Sequence, residues 1–333
     1  MSNPLGIFGD LPVDLLSNVC RHLPINDVIT VSEMDNRLNF LVNRFIYREI
    51  KGLKVDINEE YSSITFINKD GRVTQMSLDQ KGWEQVVKSG NCVEKLEMNV
   101  CMGKSTNQLF SAFRNSRFNL RSLKINTKGS LQKDHALRQR FIALLQQHRA
   151  TIRHLEISTT GEQNVSINAS CDASEIVFTY NQPVEPTPNS LGDHNMNHSF
   201  VHTLCQDYLK YHTVSNVTLK VASKFDANLA LQKAYQVAIP FENKKYLKRL
   251  SIEFGASLKA VSEEEMKSLL LLHVSETHIA TPNLQYFHCT LPNDEIDLSQ
   301  EFIASLKEPI RIHRKNSPVP FNYNISLRAV RCQ

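Results

Sequence analysis

A handful of places in this 333-residue chain bring together residue types that can do chemistry. Met102-Gly103-Lys104-Ser105-Thr106 ends like a phosphate-binding loop, in which backbone N–H groups wrap a phosphate, a lysine neutralises it and a hydroxyl holds Mg2+. Such a loop also needs a glycine five residues before Gly103, and position 98 is methionine, so no nucleotide is expected. His194 and His198 stand four apart beside Asp193, a spacing that seats zinc when it falls on a helix. No glutamate completes a zinc-hydrolase pattern, and the surroundings read as loop, so no metal is expected. Glu263-Glu264-Glu265 after Ser262 reads as a cap and first helical turn, where negative charge offsets the helix dipole. Lys244, Lys245, Lys248 and Arg249 around Tyr246 form a small basic patch that reads as solvated surface. The cysteines, at 20, 92, 101, 171, 205, 289 and 332, are odd in number and form no CxxC pair, which fits reduced, buried thiols better than disulfides. Neither a nucleophile elbow nor a local Cys-His signature is present. The chain is expected to be non-catalytic and to need no cofactor.

Composition points to an ordinary globular protein, 41% hydrophobic and 22% charged. Its 38 basic and 34 acidic residues give a net charge of +4, too small to argue for nucleic acid or a membrane surface. The longest apolar run, Ser268 to Val274, is broken by His273 and falls far short of the roughly 18 residues that span a bilayer. Pro4, Asp10, Pro12 and Asp14 interrupt any signal-peptide core. The five Asn-x-Ser/Thr sequons, at 164, 168, 197, 216 and 324, then read as chance matches. An intracellular protein, in cytoplasm or nucleus, is expected.

The elements that must position any function begin with three short helices between Phe8 and Leu41. Leu11-Pro12 opens the first, because proline has no N–H to leave unsatisfied in a first turn. Leu15, Leu16, Val19 and Leu23 follow at helical spacing, and Pro24 ends the stripe. Asn26 or Asp27 can cap a second helix carrying Val28, Ile29 and Val31. Asp35 or Asn36 can start a third, carrying Leu38, Leu41, Val42 and Phe45. So few residues cannot bury so many aliphatics alone, so the surplus needs the rest of the chain or another protein.

This stretch, residues 11–42, resembles the F-box. Leu11 and Pro12 match its opening, Asp14 stands where glutamate is usual, and Leu15, Leu16 and Val19 fill its aliphatic positions. Leu23, Pro24 and Asp27 match its second signature; Val28, Val31 and Ser32 take apolar and small positions, and Met34 a usual valine. Two departures stand out: the common basic residue becomes Asn36 followed by Arg37, and the usual tryptophan becomes Leu38. The resemblance implies a helical module, residues 1–48, that binds a Skp-family adaptor and through it a cullin-RING ubiquitin ligase. It assigns the contacts to Leu11, Pro12, Leu15, Leu16, Val19, Leu23, Pro24, Val28, Val31 and Leu38, with the lost tryptophan weakening the hold.

Residues 49–333 read as one elongated domain. Tyr61 to Leu78 alternates apolar and polar residues around Asp70-Gly71, which predicts a β-hairpin over 61–78. Thereafter a pattern of apolar-x-x-apolar-x-apolar recurs about Leu96, Leu123, Leu155, Val217, Leu250 and Phe287, with spacings of 27, 32, 62, 33 and 37 residues. Ile50-Lys51-Gly52-Leu53-Lys54-Val55 is an early copy, and Ala173 to Phe178 a degenerate one. Amphipathic helices fall between copies, as in Leu137, Phe141, Leu144 and Leu145. The expected fold is α/β: a small helical module, then an irregular solenoid with parallel strands and helices on the other side. The unit resembles a degenerate leucine-rich repeat without that family's asparagine or cysteine ladder. Residues 182–198, rich in Pro, Asn and Gly, are the expected mobile loop.

Together these resemblances imply a substrate receptor that raises the local concentration of a bound protein near the ubiquitin-transfer machinery. The outward residues between the buried ones on each strand, among them Glu97, Lys124, Glu156, Lys220, Glu253 and His288, are the candidate substrate surface. Their mixed charge suits a protein rather than nucleic acid. The alternative is an interaction scaffold whose N-terminal helices only cap the repeats.

Overall fold

The computed structural model describes residues 11–101, 106–129, 135–160, 166–172, 174–181, 201, 203–205, 208, 212–221, 246–254, 283–292 and 322–328. The phosphate-loop fragment up to Ser105, the histidine pair, the acidic run, Lys244-Lys245 and the 182–198 loop lie outside them. The chain is mixed α/β with mostly parallel strands. It divides into two compact units: Met1–Lys128 with Lys133–Ile152, and Gly129–Gln132 with Arg153–Gln333. The boundary expected after residue 48 falls inside the first unit.

In the first unit, α1 (Val13–His22) starts behind Pro12, whose carbonyl accepts the Leu16 N–H at 3.1 Å. The second helix, α2 (Ile25–Met34), starts directly behind Pro24 and takes no side-chain cap, so neither Asn26 nor Asp27 plays the part expected of it. The extended Pro24 carbonyl already accepts the Val28 N–H at 3.0 Å, and proline's fixed φ suits a helix start. Asp35 does cap α3 (Asn36–Leu41), its carboxylate accepting from the N–H groups of Arg37 at 2.7 Å and Leu38 at 3.3 Å. A π-helical turn, Val42–Ile46, and a 3-10 turn, Tyr47–Glu49, lead into the sheet. The strands are β1 (Ile50–Ile57), β2 (Ser62–Asn68), β3 (Val73–Ser77), β4 (Lys95–Cys101) and β5 (Ser122–Lys128). β1 runs parallel to β4 and β4 to β5, whereas β1, β2 and β3 form an antiparallel meander. The hairpin turn closes with Gly71 at φ +83°, its N–H donating to Asn68 O at 3.0 Å.

Three further helices form a row, α4 (Trp83–Ser89), α5 (Asn107–Arg114) and α6 (His135–His148), α4 packing on α5 and α5 on α6. Edge-to-face rings knit this layer: Phe110 meets Phe141 at 5.3 Å and Phe113 meets Phe118 at 5.7 Å. Leu53, Leu96, Leu123 and the stripe Leu137, Phe141, Leu144 and Leu145 are all buried, as their spacing requires.

The second unit holds β6 (His154–Thr160), β7 (Ser166–Asp172), β8 (Glu175–Asn181), β9 (Asn216–Val221), β10 (Arg249–Phe254), β11 (Tyr286–Pro292) and β12 (Asn322–Arg328). From β8 to β12 neighbours are parallel, but β6, β7 and β8 are antiparallel, a departure from the uniformly parallel array expected. The 62-residue gap therefore contains a strand, β7, that the repeat does not announce. A helical stretch including 201, 203–205 and 208 buries Val201, Leu204, Cys205 and Tyr208; the Tyr208 hydroxyl donates to Arg153 O at 2.5 Å.

One backbone hydrogen bond shows that the copies are equivalent. In five of them the residue two before the central position donates its N–H to the matching carbonyl of the preceding copy: Glu94 to Lys51, Arg121 to Glu94, Ser215 to Ser174, Lys248 to Ser215 and Gln285 to Lys248, at 2.7–3.0 Å. The early copy at 50–55 and the degenerate one at 173–178 both belong to this series. Among the described residues, no helix is long and apolar enough to cross a membrane.

Candidate functional site

The N-terminal helices show two different apolar edges. On α1, Leu16, Ser17 and Cys20 turn inward, while Leu15 and Val19, one turn apart, stay 51% and 44% exposed, and Pro12 precedes them on the same edge. Of the ten residues read as adaptor contacts, Pro12, Leu15, Val19 and Pro24 are exposed, and Leu11, Leu23 and Val31 are half-buried. Leu16, Val28 and Leu38 lie in the chain's own core. The stripe is wider than the internal packing uses, because a helix meets a neighbour along one line only.

The inner edge is fixed firmly. Gly82 at φ +97° lets the backbone approach Ile29 so closely that a Cβ there would stand 2.6 Å from Ile29 Cγ2. Glu49, with its side chain 10% exposed, receives Arg21 Nε of α1 and Lys69 Nζ of the hairpin, both at 3.0 Å. The Arg72 guanidinium donates to Arg21 O, and the Ser89 hydroxyl to the Asn43 side chain. Burial pushes the Tyr47 phenol up to about 12, so it stays neutral in this junction. Exposed apolar side chains that spacing did not single out include Val13, Met34 and Phe40; the Arg44 guanidinium lies 5.6 Å from the Phe40 ring and 5.7 Å from that of Phe45.

The outward strand residues also fall where alternation puts them. In the first unit Lys54, Glu97 and Lys124 are in register, as are Asp56, Asn99 and Asn126. The second row forms a ladder: Asn99 Nδ2 donates to Asp56 Oδ1 and Asn126 Nδ2 to Asn99 Oδ1, both at 2.6 Å. In the second unit Glu156, Glu253 and His288 are half-buried and Lys220 is exposed; Lys220 Nζ lies 3.3 Å from Glu253 Oε2. On β11, His288 Nε2 and Thr290 Oγ1 are 3.0 Å apart. Arg249 stacks 5.2 Å from the centre of the Tyr286 ring, giving part of the basic patch an aromatic partner within the sheet. Much of this face is thus engaged with its own neighbours.

Two cysteines that no sequence signal pairs are brought together: Cys171 Sγ on β7 and Cys205 Sγ lie 3.7 Å apart, both buried. The hydrogen bond with Cys171 and burial push the Cys205 thiol well up, so Cys205 stays protonated. Among the described residues, no three His, Cys, Asp or Glu side chains gather to hold a metal ion. No protein-family model matches the chain, and a search of curated proteins returns no match.

Proposed function

We propose that the chain is the substrate-recognition subunit of a Skp–cullin–F-box ubiquitin ligase, with α1–α3 as its F-box and the strand array as an irregular leucine-rich-repeat-like platform. It acts without catalysis of its own: the helices dock on a Skp-family adaptor and the strand array holds a protein, which raises the effective concentration of substrate lysines near the transfer centre. The observation that carries the reading is the divided stripe of α1, with Leu16 and Cys20 locked inward and Leu15 and Val19 left to solvent. Covering what remains of Leu15 and Val19 contributes about 1 kcal/mol each, roughly half of a full aliphatic burial. With the proline-led turns at Pro12 and Pro24, this edge offers an apolar line of the kind that seats in a partner's groove.

The division makes the test sharper than the sequence allows. Coexpression with a Skp-family adaptor yields a stoichiometric complex from the unaltered chain. Leu15→Asp abolishes copurification while changing the stability of the free chain by no more than about 0.5 kcal/mol, as expected at an exposed site. Leu16→Asp instead unfolds the first unit, because it buries a charge without a partner. A Leu15→Asp protein that still copurifies contradicts the assignment.

A second reading has its own observation. The Ile29–Gly82 contact and the pairings of Glu49 fasten the helices to β1, the hairpin and α4, as a cap on an interaction scaffold would be fastened. A well-folded chain that ignores the adaptor makes this reading the better one.

A further inference from the structure

We propose that the cleft between α5 and α6 binds an extended acidic peptide segment, with its carboxylates on Arg114 and Arg140 and an adjoining apolar side chain on Phe110. The cleft has a volume of about 590 Å³ and lies wholly within the first unit. That is within the range of roughly 300–1,000 Å³ typical of ligand clefts. It arises from sequence in a simple way. Each helix presents one line of residues at i, i+3, i+4 and i+7, from 107 to 114 on α5 and from 140 to 147 on α6. Small residues, Ser111 and Ala143, stand on the two lines, so the helices leave space above a floor of Phe110, Phe113 and Leu144.

Charge selects the occupant. Among the described residues, Arg114 and Arg140 are the only charged ones that line the cleft, and none of these lining residues is a carboxylate. Among the described residues neither guanidinium has an acidic partner; Arg140 Nη1 donates to the Thr106 hydroxyl at 2.9 Å, which fixes its direction and leaves its charge uncompensated. The strand residues differ: the Asp56–Asn99–Asn126 ladder and, separately, the Lys220–Glu253 pair are each satisfied internally. Two uncompensated guanidiniums over an apolar floor suit a segment that alternates carboxylates with an aliphatic or aromatic side chain, since planar guanidinium matches carboxylate in two parallel hydrogen bonds. This inference stands apart from the adaptor reading and concerns a different face.

The test selects a random-peptide phage library on the immobilised full chain, then measures the enriched peptides by fluorescence polarisation. The expected set carries Asp or Glu beside Leu or Phe. Combining Arg114→Glu with Arg140→Glu weakens those peptides at least tenfold, about 1.4 kcal/mol or more, and added salt weakens them as well. Ala143→Trp, at an exposed position, fills the cleft without changing charge and abolishes binding; it carries the test if the double reversal disturbs folding. Absence of enrichment, an enriched set without acidic residues, or peptides indifferent to Ala143→Trp overturns the proposal. Adaptor copurification, unaffected by Ala143→Trp, keeps the two proposals separable.

Discussion

His148 is a residue at which two physical effects oppose each other. It ends α6, where the helix dipole favours a cation, yet it is buried against Phe118 with ring centres 6.2 Å apart. Burial wins and pushes its pKa below the ordinary histidine value. The unfolded chain therefore binds a proton near the usual value of about 6.5 while the folded chain refuses it. This contribution to stability is complete above that pH and is lost as pH falls from there toward the depressed folded value. Denaturant midpoints of the full chain should drop between about pH 7 and pH 5, and His148→Phe should reduce the drop; an unchanged pH dependence in the variant refutes this account. The buried thiols give a second prediction at this scale. Under native conditions an alkylating reagent should label half-buried Cys92 long before Cys171 or Cys205, and comparable labelling of all three contradicts the packing.

Among the elements, the junction between helices and sheet depends on a glycine. Gly82→Ala meets both a left-handed backbone and the Ile29 side chain, and should cost about 2–4 kcal/mol in the first unit. Combining it with Ile29→Ala should cost less than the two single changes added, because the clash is shared; strict additivity sinks the contact. Neither residue advertises this partnership in the sequence, since a glycine in a loop has many uses and Ile29 reads only as one of several aliphatics. What the sequence does reveal is register. Leu53, Leu96 and Leu123 pair in register, as do Ile176, Val217, Leu250 and Phe287, because each copy sets its central residue at the same point of the strand ladder. β7 escapes notice because Ser166 to Asp172 supplies only Ile167, Ala169 and Cys171 as apolar positions, a faint alternation. The cap of α2 escapes for another reason: a proline carbonyl can start a helix without any polar side chain.

At the scale of the whole molecule, the surfaces differ in how far they are already satisfied. The outward strand residues are polar and bound to their neighbours at several points; the α5–α6 cleft has an apolar floor and two arginines that have no acidic partner among the described residues; the outer edge of α1 is simply apolar. The sequence identified the first and the last by alternation and by helical spacing. It could not separate Leu15 from Leu16, because both lie within one stripe and only packing decides which of two adjacent leucines turns inward. Nor could it find the cleft, which exists because two helices distant in sequence set small side chains near one another. The central claim, that the exposed edge of α1 is where an adaptor lands, is tested most directly by placing a photo-crosslinking residue at position 19 and, as a control, at exposed Val73 on β3. With purified Skp-family adaptor present, the account predicts a cross-link from position 19 and none from position 73. A complex that forms without cross-linking at 19, or no complex at all, contradicts it.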